Sequence, residues 1–421
     1  MEIKERVLDY IEKNKTVIIN FLRKLVSFQS ITGNEGDIQS FIADYLKSEL
    51  NLSVDVWEPD INELKNHPGF VPVQQGYEKR PNVVGVYRGA GGGRSLLFNG
   101  HVDVIPPGDE KNWRHAPWSG FVDGEKIYGR GASDMKAGLA AYTMAMKAVL
   151  DSGAKLKGDV ILEYVVDEEL SGNGTLAAIL RGYRADAGIS AETSSLKIQP
   201  ACIGRIWFEI DVYGKPAGIQ RKWEGINAIN LGYKLVKAVD NFEKIRMKEV
   251  RHSLFPNIRE AIPCLVGVFS AGSYPSSFPD FCVLRGSMAT VPGEDSEEVK
   301  KQFREHIETF SKTDPWLRHH PPIVRFTGYF AEPSEISVNH PIVDAVCKSF
   351  TQVTGMEPII SGRLGATDAR FLNKYGNTPT VIFGPGLTEQ MHAVNEYVNV
   401  KDLITATKVM ALTILDWCGY V

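Results

Sequence analysis

Three consecutive acids, Asp167, Glu168 and Glu169, close an apolar run in "ILEYVVDEELSG" (161–172), where their charges repel one another. A solvated turn tolerates such a triplet; a bound cation turns the repulsion into attraction. "LLFNGHVDV" places His101 and Asp103 two apart on a predicted strand, so both side chains point the same way. That spacing suits a metal-ligating imidazole whose second nitrogen, or neighbouring backbone, is held by a carboxylate. In "YGRGASDMKAG" Asp134 stands between a glycine-rich turn and a helix start, where capping alone could explain it. Further polar groups recur after predicted strands: Glu192 in "ADAGISAE" and His392 in "FGPGLTEQMHAVNEYV". Ligand sites in open α/β sheets gather beyond the carboxyl ends of strands, which favours one shared site over scattered surface groups.

Two imidazoles with several carboxylates form an N/O ligand set suited to Zn²⁺, Co²⁺ or Mn²⁺, without the thiolates of a structural zinc knuckle. The set is large enough for two ions about 3.5–4 Å apart sharing a carboxylate, an arrangement used in hydrolysis. Hydrolysis also needs a group that takes a proton from water and passes it to the leaving amine. Glu168 and Glu169 can divide the two tasks, and their positions alone leave open which does which.

The elements that must carry these residues alternate. "GDIQSFIADYLKSEL" has helical spacing, "PNVVGVYRG" and "RSLLFNGHVDV" read as strands, "DMKAGLAAYTMAMKAVLDSG" as a buried helix and "GDVILEYVVDEE" as the next strand. "GAGGG" (89–93) lacks the spacing of a phosphate loop and reads as a turn. From about Arg205 a β-α-β-β-α set follows, and the proline-rich "DPWLRHHPP" (314–322) reads as its exit linker. The expected architecture is an α/β catalytic domain with a mixed sheet flanked by helices (1–199 and 318–421). It is interrupted by a smaller α+β two-layer sandwich (200–317).

At 421 residues the chain exceeds what one core usually organises. A net charge of −4 without a basic-aromatic cluster argues against nucleic acid or anionic membrane as a partner and leaves small molecules or peptides. The five cysteines are unpatterned and read as buried or incidental thiols of a reducing compartment; with no signal-like start, a cytoplasmic location is expected.

In order, "GHVDVIPPGD", "GRGASDMKAG", "VVDEELSG", "AE", "GATDAR" and "GPG…MHAVNEYV" resemble the M20 metallopeptidase family, in its acetylornithine deacetylase and succinyl-diaminopimelate desuccinylase branch. The resemblance runs from about residue 20 to the C-terminus and implies a two-metal catalytic domain, zinc first among the candidates, with an inserted lid that commonly forms a homodimer. It implies His101, Asp134 and Glu192 as ligands of one ion, and Asp134, Glu169 and His392 as ligands of the other. Glu168 becomes the general acid/base, Asp103 the partner of His101, and Asp167 a support of the turn. Asn227, Arg363 and Thr367 match substrate-contacting positions. The Asp134–Met135 bond falls where the family has a cis peptide.

Two departures bear on the substrate. The family's lid motif carries a histidine that polarises the scissile carbonyl, and "GKPAGIQRKWEGINA" has Gly218 at that place. A lid strand that often carries an arginine for a substrate carboxylate has Ala289. The expected activity is metal-dependent hydrolysis of a small N-acyl amine or N-acyl amino acid, and the two departures point to an atypical amide, a formyl or other small acyl group on an amine lacking the standard α-carboxylate. A dipeptidase or aminopeptidase using the same site is the alternative, and a non-catalytic ligand-binding relative the third reading.

Overall fold

The computed structural model describes residues 2–421, which separate into two compact units. The first takes the chain up to Ala201, together with Glu335–Arg363 and Thr367–Val421; the second takes Cys202–Ser334 and Leu364–Ala366.

The first unit is built on strands Ser53–Trp57 (β1), Asn82–Tyr87 (β2), Leu96–His101 (β3), Val160–Val165 (β4), Ala187–Ser190 (β5), Ile198–Cys202 (β6) and Thr380–Ile382 (β7), in the order β1-β2-β4-β3-β5-β7-β6. Pairing is parallel through β4-β3-β5-β7 and antiparallel at both flanks. Strands buried on both faces read as continuous apolar runs, as β4 (VILEYV) does. The helix Lys136–Asp151 is buried along most of its length, which is why its sequence carries little amphipathic contrast. Gly138 lets it approach the sheet: a Cβ there would lie 1.8 Å from the carbonyl oxygen of Ala191, the residue before Glu192. The helix Gly36–Ser48 buries Ile38, Ile42 and Leu46 at one-turn intervals. The "GAGGG" segment connects β2 to β3, with Gly91 and Gly92 at positive φ.

The second unit is a sheet in the order Cys264–Ala271, Phe281–Thr290, Gly204–Tyr213, Ile323–Arg325, with Phe330–Ala331 also pairing Gly204–Tyr213. Helices Ala228–Glu249 and Ser296–Lys312 share its core through Leu235, Val239 and Phe242 from one and Val299, Phe303 and Ile307 from the other. Burying each such side chain contributes about 1.5–3 kcal/mol. Phe303 meets Phe208 of the sheet with ring centroids 4.6 Å apart.

The expected exit at residue 318 is corrected. After the turn capped by Asp314, the chain adds Ile323–Arg325 and Phe330–Ala331 to the inserted sheet, and crosses back only at residues 334–335. Those strands are too short for a periodic pattern, so the prolines dominate the local signal. The five cysteines are free, and no helix among the described residues is long and apolar enough to cross a membrane.

Candidate metal centre

β3 ends on His101, β4 runs into the acid triplet, β5 leads to Glu192, and the chain beyond β7 reaches His392. Parallel pairing therefore delivers residues far apart in sequence to one end of the sheet. Asp134 arrives differently, at the Asp134–Met135 bond, which is cis, and two residues before the helix Lys136–Asp151.

His101 Nε2 lies 3.5 Å from Asp134 Oδ1, 3.4 Å from Glu192 Oε1 and 3.8 Å from Glu168 Oε2. His392 Nε2 lies 3.5 Å from Asp134 Oδ2 and 3.0 Å from Glu169 Oε2. Asp134 thus turns one oxygen toward each imidazole. Ligand atoms within 4.8 Å of one another occur in two overlapping groups among the described residues, His101–Asp134–Glu169 and His101–Glu168–Glu192. These groups cut across the ligand sets implied by the family resemblance, since Glu168 also lies near His101, though farther from it than Asp134 or Glu192. The division between the two carboxylate oxygens of Asp134 is the better guide, because it separates the two imidazoles.

Two polar atoms here, His101 Nε2 and Asp134 Oδ1, are buried without a hydrogen-bond partner. A buried polar atom without a partner is costly, and a divalent cation held between nitrogen and oxygen donors satisfies both. The electrostatics point the same way. Burial pushes the Glu168 carboxyl well above its ordinary range; His101 opposes this, while Asp368, Glu192 and Glu169 add to it. Burial likewise raises Glu169, to about 7, against the pull of His392. At Asp134 burial is outweighed by His101, His392 and Arg363, which hold it at about 2. Burial works against a charged His101, yet Asp134, Glu192 and Glu168 outweigh it and raise its pKa well above the usual value. The cluster as a whole favours added positive charge.

His101 Nδ1 lies 2.9 Å from the backbone carbonyl of Asp103 and 3.6 Å from its carboxylate. A proton on Nδ1, donated to that carbonyl, leaves Nε2 as the ligating nitrogen. The Asp103 carboxylate is occupied elsewhere: it accepts from the backbone N–H groups of Glu168 and Glu169, both at 3.2 Å, and from Thr32 Oγ1 at 2.8 Å. The resemblance made Asp103 a partner of the imidazole; it serves His101 through its backbone and the acidic turn through its side chain.

The positions expected to contact substrate make bonds within the chain. Arg363 is 3% exposed, with Nη2 at 3.1 Å from Glu192 Oε2 and Nη1 bonded to the carbonyl and hydroxyl of Thr193. Its charge is spent orienting Glu192, with Oε1 of that residue left toward His101. Thr367 is buried and its hydroxyl accepts from Ala369 N in a turn. Asn227, in the second unit, caps the helix Ala228–Glu249 by accepting from Ile229 N. Gly218 is extended (φ −73°), and a Cβ there would meet only Gln220 Oε1, at 3.3 Å, so the backbone does not demand glycine. Ala289 is wholly buried and pairs with Arg205 across the strands, so position 289 offers no side chain to solvent.

Glu396 was not singled out by sequence. Its buried carboxylate accepts from Ser133 N (2.7 Å), Asp134 N (2.9 Å), Gly131 N (3.0 Å) and Arg130 Nη1 (2.7 Å), fixing the loop that presents Asp134. The one available signal was its place in "MHAVNEYV", four residues after His392.

The sequence pattern described as peptidase family M20/M25/M40 matches residues 97–416. The N-formyl-4-amino-5-aminomethyl-2-methylpyrimidine deformylase of Bacillus subtilis (strain 168) is 29% identical, the match covering 97% of this chain and 96% of that protein. A deformylase of the same description from Halalkalibacterium halodurans is 30% identical, with 99% and 98% covered. In fold the chain is similar to human carnosine dipeptidase 1, with a TM-score of 0.75 at 17% identity, covering 99% of each chain.

Proposed function

The chain belongs to peptidase family M20/M25/M40, and from that premise we propose that it is a metal-dependent deformylase, releasing formate from the N-formyl derivative of a small, ring-bearing amine. It is an amide hydrolase of this family. The finer reading is supported by the similarity to two deformylases along nearly the whole chain. The observation that carries the reaction is the pair of buried, unpartnered atoms, His101 Nε2 and Asp134 Oδ1, with Glu168 beside them.

His101, Asp134 and Glu192 would hold one divalent ion, and Asp134, Glu169 and His392 the other, with zinc preferred and cobalt or manganese able to replace it. When bound, such ions polarise the amide carbonyl and lower the pKa of water. Glu168 takes a proton from the water that attacks the formyl carbon and delivers it to the nitrogen as the C–N bond breaks, giving formate and the free amine. Asp103 holds the Glu168 and Glu169 amides while this occurs. Arg363 keeps Glu192 oriented. The free thiols suit a reducing cytoplasm.

The test is a panel of N-formyl aminomethyl-heteroaromatics, N-acetyl-amino acids and dipeptides given to the metal-loaded protein. We expect kcat/KM highest for the formyl compounds. The same panel on Gly218→His should gain little on N-acetyl-amino acids; a gain of orders of magnitude would mean an impaired lid rather than a repurposed one. Faster turnover of dipeptides than of any formamide would replace this reading with the dipeptidase.

The second unit is proposed as the homodimer contact. Cys264–Ala271 is an edge strand of its sheet and leaves Leu265 and Phe269 exposed, and the adjacent helix Ala228–Glu249 exposes Ile229 and Tyr233. An unprotected apolar edge of this kind is matched by its own copy across a two-fold axis. Light scattering at micromolar concentration should give the mass of two chains, and Phe269→Lys should shift it toward one. A monomeric wild type with full activity would contradict the contact.

A further inference from the structure

The acidic turn is held from two sides, and only one of them belongs to the metal centre. On the near side, Asp103 accepts from the amides of Glu168 and Glu169. On the far side lies Asp167, 1% exposed and in the left-handed region at φ +70°. Few side chains adopt that conformation without support, and asparagine and aspartate do so most readily. Its carboxylate accepts from Tyr77 Oη at 2.7 Å, from Arg80 Nη2 at 3.0 Å and from the hydroxyl of Ser171. Its carbonyl accepts from Ser171 N and Gly172 N, which closes the turn on itself.

Tyr77 and Arg80 come from a stretch without regular structure, between the short helix Ile61–Leu64 and β2, that is fastened at several points. Arg80 makes a two-pronged pair with buried Glu35, Nε to Oε2 and Nη2 to Oε1, both at 2.7 Å, and its Nη1 donates to Gly76 O. Asn173, just past the turn, accepts from Val71 N, donates to Val71 O at 2.8 Å and donates to Tyr77 Oη at 3.0 Å. The Arg80 guanidinium therefore joins Glu35, from the start of one helix, to Asp167, at the end of a strand. Tyr77 and Arg80 bond to Asp167, Asn173, Glu35 and Gly76, on the side of the turn away from the candidate ligands.

We propose that Tyr77 and Arg80 are positioning residues for Glu168, fixing through Asp167 the turn from which its carboxylate reaches the reacting atoms. The proposal rests on the reading of Glu168 as the acid/base. Glu168 has no cap of its own on the side chain, so its aim is set by the turn. A misplacement of about 1 Å far from the chemistry can cost about 10²-fold in rate, which makes this linkage consequential for turnover and indifferent for substrate affinity.

Tyr77→Phe removes one hydroxyl and leaves the ring and every charge in place; Asp167→Asn keeps the shape of the carboxylate and removes its charge. Each is made alone, and Tyr77→Phe also in a Glu168→Ala background, with kcat, KM, bound metal and melting temperature measured on the metal-loaded protein. The expected result is a fall in kcat of about tenfold or more in each single variant, with KM and metal content unchanged. In the Glu168→Ala background Tyr77→Phe should change nothing further, since coupled residues are non-additive. A folded, metal-loaded Tyr77→Phe with normal kcat would overturn the proposal, as would an equal loss in both backgrounds, which would assign the contact to general structure. If Glu168→Ala alone keeps its rate, the acid/base reading fails by that result, separately from the Tyr77 and Arg80 measurement.

Discussion

Glu168→Ala is expected to retain both ions and to lose turnover by about 10²–10⁴-fold, the range a positioned acid/base supplies. The expectation follows from where Glu168 sits. Its backbone amide is held by Asp103, its Oε2 is 3.8 Å from His101 Nε2, and burial together with Asp368, Glu192 and Glu169 pushes its carboxyl above its ordinary range against the pull of His101. On the proposed assignment, two imidazoles and the carboxylates of Asp134, Glu169 and Glu192 would complete a ligand set without it. Glu168 is nevertheless within ligating distance of His101 and Glu192, so the experiment has to separate the two roles. Elemental analysis does so: a catalytic Glu168 leaves the metal content at the wild-type level, whereas a ligating one lowers it. Glu168→Gln, which keeps size and hydrogen bonding, should be as impaired as the alanine variant. A loaded variant turning over near the normal rate would move the acid/base role to another residue.

Asp134→Ala has an effect of similar size by a different route. Its two oxygens face the two imidazoles, Oδ1 toward His101 and Oδ2 toward His392, each at 3.5 Å. Removing it withdraws the one group that serves both positions and leaves four amide and guanidinium donors of its loop still fastened to Glu396. The loop should therefore stay folded while the centre loses its metal. Metal content is expected to fall for both ions together and activity to disappear. His101→Ala should weaken chiefly one ion and His392→Ala the other, and metal content at the wild-type level in all three variants would overturn the ligand assignment.

Much of this centre is legible in the sequence because its residues follow strands. His101 ends β3 with Asp103 two residues on, Glu168 and Glu169 come just beyond β4, and Glu192 just beyond β5, and strand periodicity is a local property. The positioning groups are different in kind. Glu396 reaches Asp134 N across 262 residues, and Arg80 reaches Asp167 across 87. No local period announces such contacts. Arg363 illustrates the same limit: beside "GATDAR" it reads as a substrate contact, and only the fold places it against Glu192. Asp103 reads from sequence as the partner of His101, which it meets through its backbone carbonyl, while its carboxylate accepts from the acidic turn; a two-residue strand spacing cannot tell a backbone bond from a side-chain bond. The inserted unit was visible in its β-α-β-β-α rhythm, and its exit was missed because Ile323–Arg325 and Phe330–Ala331 are held by pairing with Gly204–Tyr213 rather than by any pattern of their own. The half-buried helix Pro341–Thr354 and the buried helix Val400–Cys418 went unread, the latter because apolar residues surround it on nearly all sides.

Formate release, followed while metal-stripped protein is titrated with Zn²⁺ or Co²⁺, is the direct test of metal-dependent amide hydrolysis at His101, Asp134, Glu169, Glu192 and His392. With an N-formyl aminomethyl-heteroaromatic as substrate, release should be absent without metal, rise as ions bind and level off near two per chain. Undiminished formate release from the stripped protein, or none from a protein carrying both ions, would contradict it.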